Sequence, residues 1–157
     1  MKKWVFFILI WAISLLGVWI YRAVKCNQEI SVITAQYEKS APIKSLLLDF
    51  GYSLGIYATE QVVKEDLGAL RFHINYLARG DKNILGIMIV GKDGTVLLST
   101  DVTQEGELAS SILGYDPMDV GKMAVEDRGD RFVAHVPLIK FNTKVGYLRI
   151  EYKKTGR

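Results

Sequence analysis

Ser99, Thr100 and Asp101 stand in a row at the end of "GIMIVGKDGTVLLSTD", residues 86–101. Two hydroxyls and a carboxylate side by side can accept hydrogen bonds from an ammonium group, which is how an amine or an amino acid would be held. The same residue types also end strands and open turns. The tip therefore reads either as part of a binding site or as the end of a strand. Further on, "RFVAHVPLIK" spaces Arg131, Val133 and His135 two residues apart. On a strand this puts them on one face with Pro137, and Phe132, Ala134, Val136 and Leu138 on the other. Arg131 can clamp a carboxylate through two parallel N–H bonds. His135 reads either as a ligand contact or as a hydrogen-bonded structural residue. His73, in "LRFHINYL", reads as a helix-surface or packing residue. Two histidines with no cysteine nearby give no zinc spacing, so neither a metal nor another cofactor is expected.

Catalytic signatures are missing. The chain has no Gly-x-Ser-x-Gly, no His-Glu-x-x-His, no phosphate loop and no dinucleotide fingerprint. Its acids are scattered over turns and helix faces, so an enzyme is not expected. Setting aside Lys2 and Lys3 leaves 18 basic residues against 17 acidic ones, and no basic tract suggests a nucleic-acid partner.

The elements that must position these residues follow from periodicity. "NILGIMIV" and "TVLLST" are strand-like runs joined by "GKDG", in which Asp93-Gly94 is a tight-turn signal. After a loop-like stretch, 102–121, with one short helical piece ("GELASSILGY"), three more strands follow: "KMAVE", "RFVAHVPLIK" and "VGYLRIEYK". Upstream, Leu46, Leu47, Phe50, Leu54, Tyr57, Ala58 and Gln61 recur at helical steps after a break at "SAPIK", with Ser40 as a plausible N-cap. Asp66 can cap a further helical piece in which Leu67, Leu70, Ile74 and Leu77 form one stripe, and Gly80 suits a C-terminal cap. The reading is an α+β chain: an N-terminal transmembrane helix, a long helix, then a five-stranded antiparallel sheet. The hairpin at 86–101 is expected to supply the central strands, with its polar tip beside His135.

Half of the residues are hydrophobic. From Trp4 to Tyr21 the chain reads "WVFFILIWAISLLGVWIY", 18 residues without a charge. That is just enough to span a bilayer, with aromatic rings at both ends. The alternative, a cleaved signal peptide, is disfavoured by the bulky and charged "RAVKC" that follows. This predicts a cytoplasmic tail at 1–3, an anchor at 4–21, a helical region at 22–79 and the sheet at 80–157, with 22–157 forming one exported domain. The lipid bilayer is then one partner, held through the N-terminal helix, and the C-terminal domain is periplasmic or extracellular. Cys26, the single cysteine, lies just past the span and reads either as an incidental thiol or as a disulfide across a dimer stalk.

The anchor, the long helix, "ILGIMIVGKDGTVLLSTD" with "EGE" after it, and the closing "VPLIK…VGYLRIEY" together resemble the extracytoplasmic PAS-like sensor domains of the Cache or PDC type, over roughly residues 27–153. The resemblance implies that a small ligand, where there is one, is held between the sheet and the segment joining strands two and three; Tyr115 in that segment reads either as a cover over the ligand or as a residue packed on the sheet. It also implies basic residues two and four positions before the proline of the fourth strand in carboxylate-binding members. Those positions hold His135 and Val133, so a dicarboxylate loses one partner, and an amine or amino-acid-like ligand is expected instead. Family members usually continue into a second span and an output module, whereas this chain ends at "YKKTGR". The expectation is a sensor-type module that signals through a separate membrane protein or through a homodimer. The competing expectation is a scaffold of a membrane complex that binds no ligand.

Overall fold

The computed structural model describes residues 41–154, together with Lys25. The chain divides into two compact units, Met1–Ile43 and Lys44–Arg157. The apolar span at 4–21, Cys26 and the proposed cap Ser40 lie outside the described residues. Among the described residues no helix is long and apolar enough to cross a membrane.

Helix α1 (41–64) buries Leu47, Leu54 and Ala58, while Phe50 and Tyr57 are partly covered. Leu46 departs from the predicted stripe and is 63% exposed. Two glycines let α1 lie close to the sheet. A Cβ on Gly51 or Gly55 would sit 3.0 or 2.8 Å from the Val136 side chain. The helix stops at Glu65, which adopts φ 58°, and the chain restarts at Asp66. The Asp66 carboxylate accepts from Ala69 N at 3.1 Å, the N-cap that its position suggested. Helix α2 (Leu67–Gly80) buries Leu70 and Ile74, with Leu67 and Leu77 beside them. Its end differs from expectation. Gly80 is the last helical residue, and Asp81 closes the helix in extended backbone, donating its N–H to Leu77 O.

Five strands follow: β1 (Ile84–Gly91), β2 (Val96–Ser99), β3 (Ala124–Asp127), β4 (Arg131–Lys140) and β5 (Thr143–Lys153). All pair antiparallel in the order β2-β1-β5-β4-β3. The Asp93-Gly94 turn forms as expected. Asp93 accepts from Thr95 N and Oγ1, and Gly94 takes φ 81°. The hairpin it closes is not the centre of the sheet, however. β2 is an edge, and β5 occupies the middle, paired with β1 on one side and β4 on the other. Short connections identify only neighbours in sequence, and the β1–β5 pairing joins strands far apart in the chain.

One sheet face carries Ile87, Ile89, Val136, Leu138, Leu148 and Ile150 and packs on the helices. The other carries Met88, Val90, Val96 and Tyr147. It is covered by the segment between β2 and β3, which contains a 3₁₀ turn (Val102–Gln104), helix α3 (Ala109–Leu113) and a second 3₁₀ turn (Pro117–Asp119). Each large side chain fully buried on these faces contributes about 1.5–3 kcal/mol. The alternation read along β4 is the one observed: Ala134, Val136 and Leu138 meet the helices, while His135 faces the covering segment. Glu105 ties the layers together. It takes two bonds from the Arg71 guanidinium, at 2.8 and 2.6 Å, and one from Ser99 N at 3.1 Å.

Candidate functional site

The sheet register lays the polar residues out in a single row. Ser99 of β2 pairs with Met88, Met88 with Arg149 of β5, and Arg149 with His135 of β4. Ser99 and His135 therefore stand three strand spacings apart, roughly 14 Å at ~4.8 Å per strand. The expectation that the tip lies beside His135 fails for the same reason as the central hairpin: β1 and β5 stand between them. Two polar centres replace the one anticipated.

The first centre is a cavity of about 170 Å³ at the open end of β1, β2 and β5. Ser99, Thr100, Asp101 and Gln104 form one side, and Arg149 and Glu151 the other. Sequence reading missed Arg149 and Glu151, although the signal was available. In "VGYLRIEYK", Tyr147, Arg149 and Glu151 share one face, while Leu148 and Ile150 share the apolar one. Arg149 and Glu151 are only 13% and 18% exposed, and Arg149 Nη1 donates to Glu151 Oε1. Arg131 donates to the other Glu151 oxygen at 2.9 Å and to Asp130 at 2.9 Å. Arg131 thus serves Glu151 rather than an open site. Burial pushes the Glu151 carboxyl up, but Arg131 and Arg149 outweigh it and hold it below the usual carboxylate range. Among the described residues Arg149 makes only its bond to Glu151, and its Nε is buried without an acceptor. The guanidinium has donors to spare.

The predicted tip residues line this cavity, each with internal bonds. Ser99 Oγ donates to Gln104 Oε1 at 3.0 Å and accepts from Asp101 N at 3.1 Å. Thr100 Oγ1 accepts from Ile87 N at 3.1 Å. Asp101 Oδ1 accepts from Thr103 N and Oγ1, so Asp101 caps the first 3₁₀ turn. Its second oxygen makes no hydrogen bond among the described residues.

The second centre is closed. The Tyr147 hydroxyl lies 2.6 Å from His135 Nδ1, Tyr115 OH lies 3.1 Å from Tyr147 OH and 3.3 Å from the same nitrogen, and Glu126 Oε2 lies 3.3 Å from Nε2. Tyr115 therefore covers His135 itself. Burial holds the imidazole below its ordinary pKa, against the opposing pull of Glu126. The Tyr147 phenol is pushed above its usual range by burial first and by Tyr115 second. Val133 is fully buried one pleat from His135, opposite Glu126 and Glu151. Lys144 holds the covering segment down from the other side. Its ammonium donates to the carbonyls of Pro117, Met118 and Val120 at 3.0, 2.7 and 2.8 Å. The space beneath is filled by Leu113, Met118 and Val120 against Val90 and Tyr147. Met123 packs on the helix side of the sheet instead. His73 is a packing residue, with its ring 4.8 Å from that of Tyr57.

No protein-family model matches the sequence, and neither does any curated protein sequence. Among solved structures, the chain is similar to the sensory domain of the Campylobacter jejuni chemoreceptor Tlp3 (CcmL) with isoleucine bound. The identity is 16% and the TM-score 0.41, over 76% of this chain and 62% of that one. It is also similar to the ligand-binding domain of the Pseudomonas fluorescens chemoreceptor CtaA in complex with L-alanine. There the identity is 16% and the TM-score 0.32, over 52% of this chain and 38% of that one. The chain spans less than two thirds of either structure.

Proposed function

We propose that this chain is a membrane-anchored, extracytoplasmic sensor module that recognises a small amine-bearing molecule and signals through a separate membrane protein or a second copy. The supporting observation is the cavity between Asp101 and the Arg149–Glu151 pair. At about 170 Å³ it is smaller than the roughly 300–1,000 Å³ of sites for drug-sized ligands, so it suits a compact polar molecule. Its charges are one guanidinium and two carboxylates. A ligand ammonium would take the open oxygen of Asp101, and a ligand carboxylate or carbonyl would take the spare donors of Arg149. A dicarboxylate would meet two like charges for one arginine.

In this reading residues 4–21 hold the domain on the membrane, and Cys26 marks the stalk along which two copies would pair. The test is a thermal-shift screen of the full chain in mild detergent against amino acids, amines and carboxylates. A ligand that binds only the folded state raises the midpoint by mass action.

A scaffold that binds no small molecule is the second reading. It is favoured by the internal hydrogen bonds of Ser99, Thr100 and Asp101, and by the side chains filling the space under the 114–121 segment. A screen in which no class of compound shifts the midpoint would select it.

A further inference from the structure

A second cavity lies on the helix side of the sheet, on the face opposite Arg149. It holds about 280 Å³ between residues 46–50 of α1, the last turns of α2, the start of β1 and the end of β5. Leu47, Phe50, Leu77 and Ile84 make its wall. Gly80 is part of the lining, and a Cβ there would meet nothing within 4 Å. Leu46 and Tyr76 stand at its rim, 63% and 68% exposed.

Its polar features all point to one kind of charge. Among the described residues Asp81 is the only charged one in the lining. One of its oxygens takes Asn83 N and Nδ2, at 2.9 and 3.0 Å. The Tyr152 phenol sits beside Asp81, and burial first and that negative charge second raise its pKa. α2, 14 residues long, ends at the same place, and a helix C-terminus carries about half a negative charge. Three aromatic rings, Phe50, Tyr76 and Tyr152, share the lining, and aromatic faces attract cations, most of all weakly hydrated organic ones. Arg79 and Lys82 neighbour Asp81 in sequence but line no part of the cavity.

We propose that this cavity binds an organic ammonium ion bearing an apolar substituent. The apolar part lies on Leu47, Phe50, Leu77 and Ile84, and the ammonium lies between Asp81 and the rings of Tyr76 and Tyr152. The site is independent of the cleft at Arg149, so either can exist without the other.

The experiment uses the full chain in a nonionic detergent and isothermal titration with benzyltrimethylammonium, against benzyl alcohol and phenylacetate as neutral and anionic probes of similar size. The cation should bind at least tenfold more tightly than either. Asp81→Asn keeps the acceptor for Asn83 and should weaken the cation at least fivefold, with the thermal midpoint unchanged. Tyr76→Ala, at an exposed position, should weaken it severalfold. Arg149→Gln should leave this binding untouched, which separates the result from any failure at the other cleft. Equal binding of the three probes, no binding of the cation, or full affinity in both Asp81→Asn and Tyr76→Ala overturns the proposal. A chain that binds no probe and forms a dimer disrupted by Tyr76→Ala overturns it in favour of a second copy as the occupant.

Discussion

The Tyr147 hydroxyl and Nδ1 of His135 lie 2.6 Å apart on neighbouring strands of the sheet, under Tyr115. With the imidazole neutral, one arrangement satisfies the whole chain of bonds: Tyr115 donates to Tyr147, Tyr147 to Nδ1, and Nε2–H to Glu126. Protonation of Nδ1 removes the acceptor and forces Tyr147 to turn its proton elsewhere.

The first prediction is therefore a pH effect. Burial holds the His135 imidazole below the ordinary histidine value of about 6.5. Between that lowered value and about 6.5 the unfolded chain binds more protons than the folded one, so stability rises with pH across this window. The groups facing His135 are Glu126, Tyr115, Tyr147, Arg149 and Arg128, and the two arginines oppose a second positive charge. The thermal midpoint should fall as pH drops from about 7 through about 6.5 toward about 5. His135→Gln, which keeps an acceptor for Tyr147, should flatten that fall. An equal slope in the variant would assign the acid sensitivity to other groups.

Glu105 joins α2 to the edge of the sheet. Glu105→Ala leaves the Arg71 guanidinium and Ser99 N without their acceptor and should cost about 1–3 kcal/mol in denaturant unfolding. Arg71 is partly exposed, so Arg71→Ala should cost less, about 1 kcal/mol, because water replaces the lost partner. A larger loss for Arg71→Ala than for Glu105→Ala would contradict this order.

Gly146 of β5 has no room for a side chain against β1. A Cβ there would stand 2.4 Å from the Val90 carbonyl oxygen, so one strand must move. Gly146→Ala should destabilise the fold by about 1–3 kcal/mol, the scale of forced overpacking. A stability equal to that of the wild type would show that the β1–β5 spacing is wrong.

Lys144 fastens the covering segment through three carbonyls, and burial holds its ammonium below the ordinary lysine pKa, against Asp116 and Asp119. Lys144→Met should speed amide exchange across 114–121 while leaving β1 and β5 protected. Uniform acceleration across the sheet would mean that the lysine supports the whole domain rather than this segment.

Much of the architecture is legible in the sequence because local chemistry decides it. Asp66 caps α2, Asp93-Gly94 turns the hairpin, and the alternation along β4 sorts Val136 from His135. Strand order is not legible, because nothing near β1 in the sequence announces its pairing with β5. The difference at the site follows from that. Short connections set Ser99 beside His135, whereas the inserted strand brings Arg149 and Glu151 to Ser99 and leaves His135 under Tyr115. Arg131 is on the expected face, but Glu151 takes it up, a partner invisible without the strand order. Gly80 suggests a left-handed cap, and Asp81 closes the helix in extended backbone instead.

In the proposed function the cleft over Arg149 and Glu151 receives an amine-bearing ligand. The most direct measurement compares the thermal midpoint of the full chain with a small amino acid, the corresponding amine and the corresponding carboxylate, in wild type, Arg149→Gln and Asp101→Asn. The midpoint should rise with concentration for the amino acid or the amine and change little with the carboxylate. The rise with the amino acid should be lost in Arg149→Gln, the rise with either ligand should fall sharply in Asp101→Asn, and both variants should remain folded. A carboxylate that shifts the wild type most, or a shift kept in full by both variants, would contradict it.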